Sequence, residues 1–120
     1  AISIEPGNYW FRILYAELLY MQNDYLKSAE QYKLLIEIEP KEQQLYFMLA
    51  EMYVYANKIK KAIAVYDKIQ DKTGVDKLLS MQKHSLYRQL KDIGSALKEL
   101  ELLIKEFPED IARVVFNAIN

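Results

Sequence analysis

The 120-residue sequence predicts an all-α fold, a solenoid of antiparallel helix pairs with about seven helices. In Gln43 to Gly74 the residues Leu45, Tyr46, Leu49, Met52, Tyr53 and Ala56 recur at steps of three and four, which stacks them on one helix face. The pattern breaks at Asn57 and Lys58, resumes with Ile59, Ala62, Ile63, Tyr66 and Ile69, and stops at the breaker Gly74. So short a join makes the two helices antiparallel. Pro6, Pro40 and Pro108 are separated by one and then two intervals of 34 residues, and Gly74 stands at the missing node. A lattice of that period means that the helix pair is repeated.

In chain order the predicted helices cover 9–22, 25–38, 43–56, 59–72, 76–90, 93–106 and 109–118. In the first, Ala16 and Leu19 match Ala50 and Tyr53 one period later, and Asn23 matches the turn residue Asn57. The second carries Tyr25, Ser28, Tyr32 and Leu35 where the fourth has Ile59, Ala62, Tyr66 and Ile69, with Asp24 available to cap its start. In the third and fourth, Ala50 and Ala62 are the small residues where two backbones approach, and Tyr53 and Tyr66 fill the gaps beside them. The fifth follows the candidate cap Asp76 and brings His84, Tyr87 and the turn residue Lys91 into register. The sixth follows Asp92 with Ile93, Ala96, Leu100 and Leu103, and Glu106, Phe107 and Pro108 close it as Glu39 and Pro40 close the second. The seventh opens a further copy. One helix pair cannot bury both its faces, so the copies are expected to stack.

This period, an aromatic/Leu/small/aromatic series in the first helix of each pair, and the run QNDYLKSAEQYKLLIEIEP at Gln22 to Pro40 resemble the tetratricopeptide repeat (TPR) family. The resemblance covers the whole chain: 1–8 as the end of a preceding repeat, 9–40, 41–74 and 75–108 as repeats, and 109–120 as the first helix of a following one. In that register Ala1 to Ile4 are the last turn of a second helix and Ile111 to Asn120 a first helix without its partner. The sequence therefore reads as a segment of a longer repeat protein, with any capping helix or targeting signal outside it. Two departures are expected to make the first and third pairs pack less regularly: Arg12 stands where the family has an aromatic residue, and His84 where it has Gly or Ala.

The resemblance implies a right-handed superhelix whose first (A) helices line a concave groove, a scaffold for protein–protein interaction. Its groove positions correspond here to Trp10, Ile13, Glu17, Tyr20 and Met21, then Gln44, Phe47, Glu51, Val54 and Tyr55, then Leu78, Met81, Ser85, Arg88 and Gln89, with Ala112 and Val115 beginning a fourth row. Aromatic side chains there provide contact area at little cost in rotamer freedom, so Trp10, Tyr20, Phe47, Tyr55 and Met81 are the expected anchors and Glu17, Glu51 and Arg88 the expected orienting charges. A subset of the family grips a terminal carboxylate with Lys, Arg and Asn. The matching positions hold Ile13, Glu17, Met48, Leu78 and Gln82, none of them cationic, so an apolar or mildly basic protein or peptide segment is the expected partner. The competing reading is a structural module that self-associates through the groove or the repeat ends.

Composition narrows the alternatives. Apolar residues make up 52% and charged residues 28%, which excludes disorder, and no apolar run reaches the ~20 residues of a membrane span. A net charge of −1 supplies no field for nucleic acid or an anionic membrane. One histidine and no cysteine leave no metal set, and three scattered glycines leave no phosphate loop. His84 reads as a packing residue, Glu17 and Glu51 as a solvated acidic strip, and no catalytic residue, metal or cofactor is expected. Lys58, Lys60, Lys61, Lys68 and Lys72, interleaved with Asp67 and Asp71, read as solvated outer faces of second (B) helices. Tyr9, Tyr15, Tyr25, Tyr32, Tyr46, Tyr53, Tyr66 and Tyr87 fall mainly at core positions. AISIEPGN at the start has no basic segment followed by an apolar core, and without cysteine both cytoplasm and periplasm suit a soluble chain.

Overall fold

The computed structural model describes residues 6–110 together with Arg113 and Asn117. Six helices follow one another: α1 (Pro6–Met21), α2 (Tyr25–Ile38), α3 (Gln43–Tyr55), α4 (Ile59–Thr73), α5 (Lys77–Gln89) and α6 (Ile93–Glu106). Among the described residues there is no strand. α1 starts three residues before the expected position 9, at Pro6, because proline suits a first helical turn whose N–H groups have no partner in any case. Residues 108–110 are helical and open the seventh predicted helix. The remainder of that helix, including Ala112 and Val115, and the turn expected from Ala1 to Ile4 lie outside the described residues.

The chain divides into two compact units, residues 1–69 and 70–120. In the first, α1 packs on α2 and α2 on α3. α3 meets α4 through the rings of Phe47 and Tyr66, 6.4 Å apart. The expected close approach of small residues holds: Ala16, Ser28, Ala50 and Ala62 are all sealed from solvent. Ser28 Oγ donates to the Ala16 carbonyl at 2.8 Å, so the hydroxyl is satisfied where the two helices touch. In the second unit α5 packs on α6 over Leu79, Leu86, Ala96 and Leu103. There His84, matching Ala16 by register, has Nδ1 3.0 Å from the Ala96 carbonyl, matching Ser28. The same helix-to-helix contact is thus polar in both, with the roles of the two helices exchanged.

The turn inside each pair is the most regular feature of the chain. Asn23, Asn57 and Lys91, one period apart, all have left-handed backbone, with φ of 64°, 60° and 61°. At each, the next amide reaches back five residues: Asp24 to Leu19 (2.9 Å), Lys58 to Tyr53 (2.7 Å) and Asp92 to Tyr87 (2.9 Å). This double-bonded helix end requires a left-handed residue, which asparagine accepts more readily than lysine. Lys91→Asn is therefore expected to stabilise the chain by about 0.5–1 kcal/mol, read as a raised urea midpoint at unchanged m-value. A lowered midpoint contradicts it.

Asp76 and Asp92 cap as expected, accepting from the Leu79 and Ser95 amides at 3.0 and 3.2 Å. Asp24 does not. Its carboxylate stands 3.7 Å from Lys27 Nζ, and only its carbonyl receives a helix amide, that of Ser28. Tyr15 also departs from expectation, being 50% exposed, because its face of α1, shared with Phe11, Leu14 and Leu18, is uncovered among the described residues. Arg12 is accommodated by a hydrogen bond from Nη1 to Gln31 Oε1 at 2.9 Å, while its buried Nε has no partner among the described residues.

The second unit contains a polar network that periodicity does not reveal. Lys83 Nζ and Glu99 Oε1 are 2.7 Å apart, with side chains only 7% and 11% exposed. Lys83 also donates to Gln70 Oε1 (2.9 Å), and Gln70 Nε2 reaches Ser80 Oγ at 3.4 Å. Glu99 Oε2 is buried without a hydrogen-bond partner among the described residues.

Candidate functional site

The twelve expected groove positions fall on three helices, α1 and α3 of the first unit and α5 of the second. In the first unit α1 carries Trp10, Ile13, Glu17 and Tyr20, and α3 carries Gln44, Phe47, Glu51 and Tyr55. Helical spacing separates them from the core residues of the same helices, Ala16 and Leu19 in α1 and Leu45, Leu49 and Met52 in α3. Trp10 is 63% and Tyr55 53% exposed; Ile13 and Phe47 are half-buried, and the two glutamates face solvent. In the second unit Leu78, Met81, Ser85 and Arg88 lie along α5, all exposed, with Leu78 at 67%.

Two clusters form on the first unit. One is an open cleft of about 350 Å³ lined by Trp10, Ile13, Glu17 and Gln44 from the expected set, with Tyr9, Tyr32, Glu42, Leu45 and Met48. Tyr9 and Trp10 make a T-shaped contact, 5.4 Å between centroids at 85°. The Tyr9 and Tyr32 phenols are both pushed above their ordinary range. Burial is the larger cause for each, followed by Glu39 and Glu42 beside Tyr9 and by Glu17 and Glu51 beside Tyr32. The other cluster joins Tyr20 and Tyr55 (5.5 Å) to Tyr25, which stacks on Tyr55 at 5.3 Å and lies 5.9 Å from Tyr20. Tyr25 donates to Asn23 Oδ1 at 2.8 Å, tying the cluster to the left-handed turn. The Tyr55 phenol is pushed up, first by its hydrogen bond with Tyr20.

Sequence reasoning left Tyr9, Tyr32, Glu42, Leu45 and Met48 of the first cluster and Tyr25 of the second out of the expected groove set. Glu42 precedes α3 and lies off the helical groove positions, and Tyr25 reads as core. Phe47 is a less free anchor than its position implies, since half of it packs toward Tyr66. A second cleft of about 400 Å³ between α2, α3 and α4 has the opposite net charge, with Lys33, Lys61 and Lys68 against one carboxylate, Glu37, and Lys61 Nζ 5.7 Å from the Tyr53 ring centroid. Among the described residues, no three His, Cys, Asp or Glu side chains gather where they could hold a metal ion, and no helix is long and apolar enough to cross a membrane.

No protein-family model and no curated protein matches the chain. Solved structures do. A tetratricopeptide repeat protein from Parabacteroides merdae ATCC 43184 superposes with a TM-score of 0.68 at 21% identity, over 84% of this chain and 41% of that one. The CopN-Scc3 complex provides another, with a TM-score of 0.70 at 18% identity over 92% of this chain and 71% of its own. The chain thus spans well under half of the first of these proteins. At such identities the likeness concerns the fold: this chain is an all-α, TPR-like helical repeat.

Proposed function

We propose that this TPR-like repeat is a non-catalytic scaffold that binds an apolar or mildly basic peptide or protein segment along the face of its A helices. The observation that carries this reading is that each groove position on α1, α3 and α5 remains exposed or half-buried while neighbouring turns of the same helices are sealed into the core. Large apolar surface left open in this way marks an interaction site. One of the structural neighbours is itself a complex of two named components, which agrees with a protein partner. The test uses peptides selected on the immobilised chain from a random display library. Phe47→Ala and Tyr55→Ala are each expected to weaken the selected peptide by about 2 kcal/mol, with helicity unchanged by circular dichroism. Unaltered affinity in both variants removes the reading.

Self-association has its own supporting observation. Phe11, Tyr15 and Leu18 are exposed on α1, whereas their register counterparts on α3, Leu45, Leu49 and Met52, are buried. If a second copy covers this strip, Phe11→Glu with Leu18→Glu converts a sedimenting dimer to monomer. A parent chain that is monomeric at high concentration contradicts self-association.

A further inference from the structure

We propose that the cleft between α1 and α3 is the receptor for an arginine side chain of the bound segment. This rests on the peptide-binding reading above and adds the chemistry of one subsite.

At about 350 Å³ the open cleft is large enough to take a long side chain. Its lining carries two carboxylates, Glu17 and Glu42, and among the described residues no lysine or arginine. Among the described residues neither carboxylate takes part in an ion pair, so those residues leave the cleft with a net negative charge. Glu39 and Glu51 extend the same field, acting on Tyr9 and Tyr32 respectively. An acidic or C-terminal group entering here meets repulsion on both sides.

The wall selects among cations. Trp10 offers an exposed indole in T-shaped contact with Tyr9, and the largely buried Tyr32 ring forms part of the wall. A cation over such a ring is attracted by its quadrupole, and indole is the best of the aromatic faces. A guanidinium matches this combination better than an ammonium. It is planar and stacks, it is more weakly hydrated, and its forked donors can serve two carboxylates at once. The lysine-rimmed cleft between α2, α3 and α4 has the reverse sign, so arginine is directed to one cleft and not the other.

Trp10 is the chain's one tryptophan, so its indole N–H resonance reports this cleft alone. The ¹⁵N-labelled protein is titrated with N-acetyl-arginine amide and with N-acetyl-citrulline amide, which has the same shape without the charge. Arginine amide is expected to move the Trp10 resonance saturably, at least tenfold more tightly than citrulline amide, and more weakly as sodium chloride is raised. Glu17→Gln with Glu42→Gln is expected to reduce arginine affinity at least tenfold with helicity retained. Equal responses to the two amides, no saturable response to arginine, or full arginine binding by the double variant overturns the proposal. Phe47 and Tyr55 do not line the cleft, so Phe47→Ala and Tyr55→Ala leave the arginine response intact while testing peptide capture. Failure of the groove reading and failure of the arginine subsite are therefore read separately.

Discussion

Glu99→Ala is expected to cost about 3–5 kcal/mol of folding stability, because it removes the carboxylate that lies 2.7 Å from the buried Lys83 ammonium. The pair is nearly sealed from water, and Lys83 also donates to Gln70 Oε1, a neutral acceptor that does not replace the carboxylate's charge. Lys83→Met should cost a similar amount by stranding the Glu99 carboxylate, whose Oε2 already lacks a hydrogen-bond partner among the described residues. The central repeat shows what could replace the pair: at the corresponding positions it has Leu49 and Val65, both buried. Lys83→Leu combined with Glu99→Val is accordingly expected to recover most of the loss, and to equal or exceed the parent chain. Urea unfolding of the two singles and the double measures this directly. Singles within 1 kcal/mol of the parent, on the scale of an exposed pair, contradict the burial argument.

The second large effect is expected at Leu35. Its side chain is fully buried in α2, and its register counterparts Ile69 and Leu103 are buried in α4 and α6. Leu35→Ala removes three carbons from a close-packed site and is expected to cost about 2–5 kcal/mol, depending on how far the surroundings collapse. Leu103→Ala should fall in the same range, since it occupies the same position of a later repeat. Ile36→Ala, at the next, half-buried position, should cost clearly less. The comparison tests the register as well as the burial. If Ile36→Ala proves as damaging as Leu35→Ala, the assignment of the buried face is wrong.

The helices were legible because each writes the same apolar spacing, and the joins because Asn23, Asn57 and Lys91 recur at one interval. That interval also located the close contacts, Ala16 with Ser28 and His84 with Ala96. Features that depend on which polar groups meet were not legible. A lysine and a glutamate on separate helices each read as surface residues, and only packing brings Lys83 to Glu99. Asp24 has the residue type of a cap, yet its carboxylate is directed to Lys27. Tyr15 sits at a core position of the repeat, but its burial depends on a neighbour that the register cannot supply. The candidate site was half legible for the same reason. The register implied by the family resemblance gave Trp10, Ile13, Glu17 and Gln44, while Glu42 reaches the cleft from the connection before α3.

The most direct test of the proposed role is ¹⁵N chemical-shift mapping of a library-selected peptide on the whole chain. The account predicts that the largest shifts occur at Trp10, Glu17, Gln44, Phe47 and Tyr55 on α1 and α3, with small changes at Lys60, Lys61 and Lys68 on α4. Shifts confined to the α4 lysines, with Trp10 and Phe47 unmoved, would contradict it.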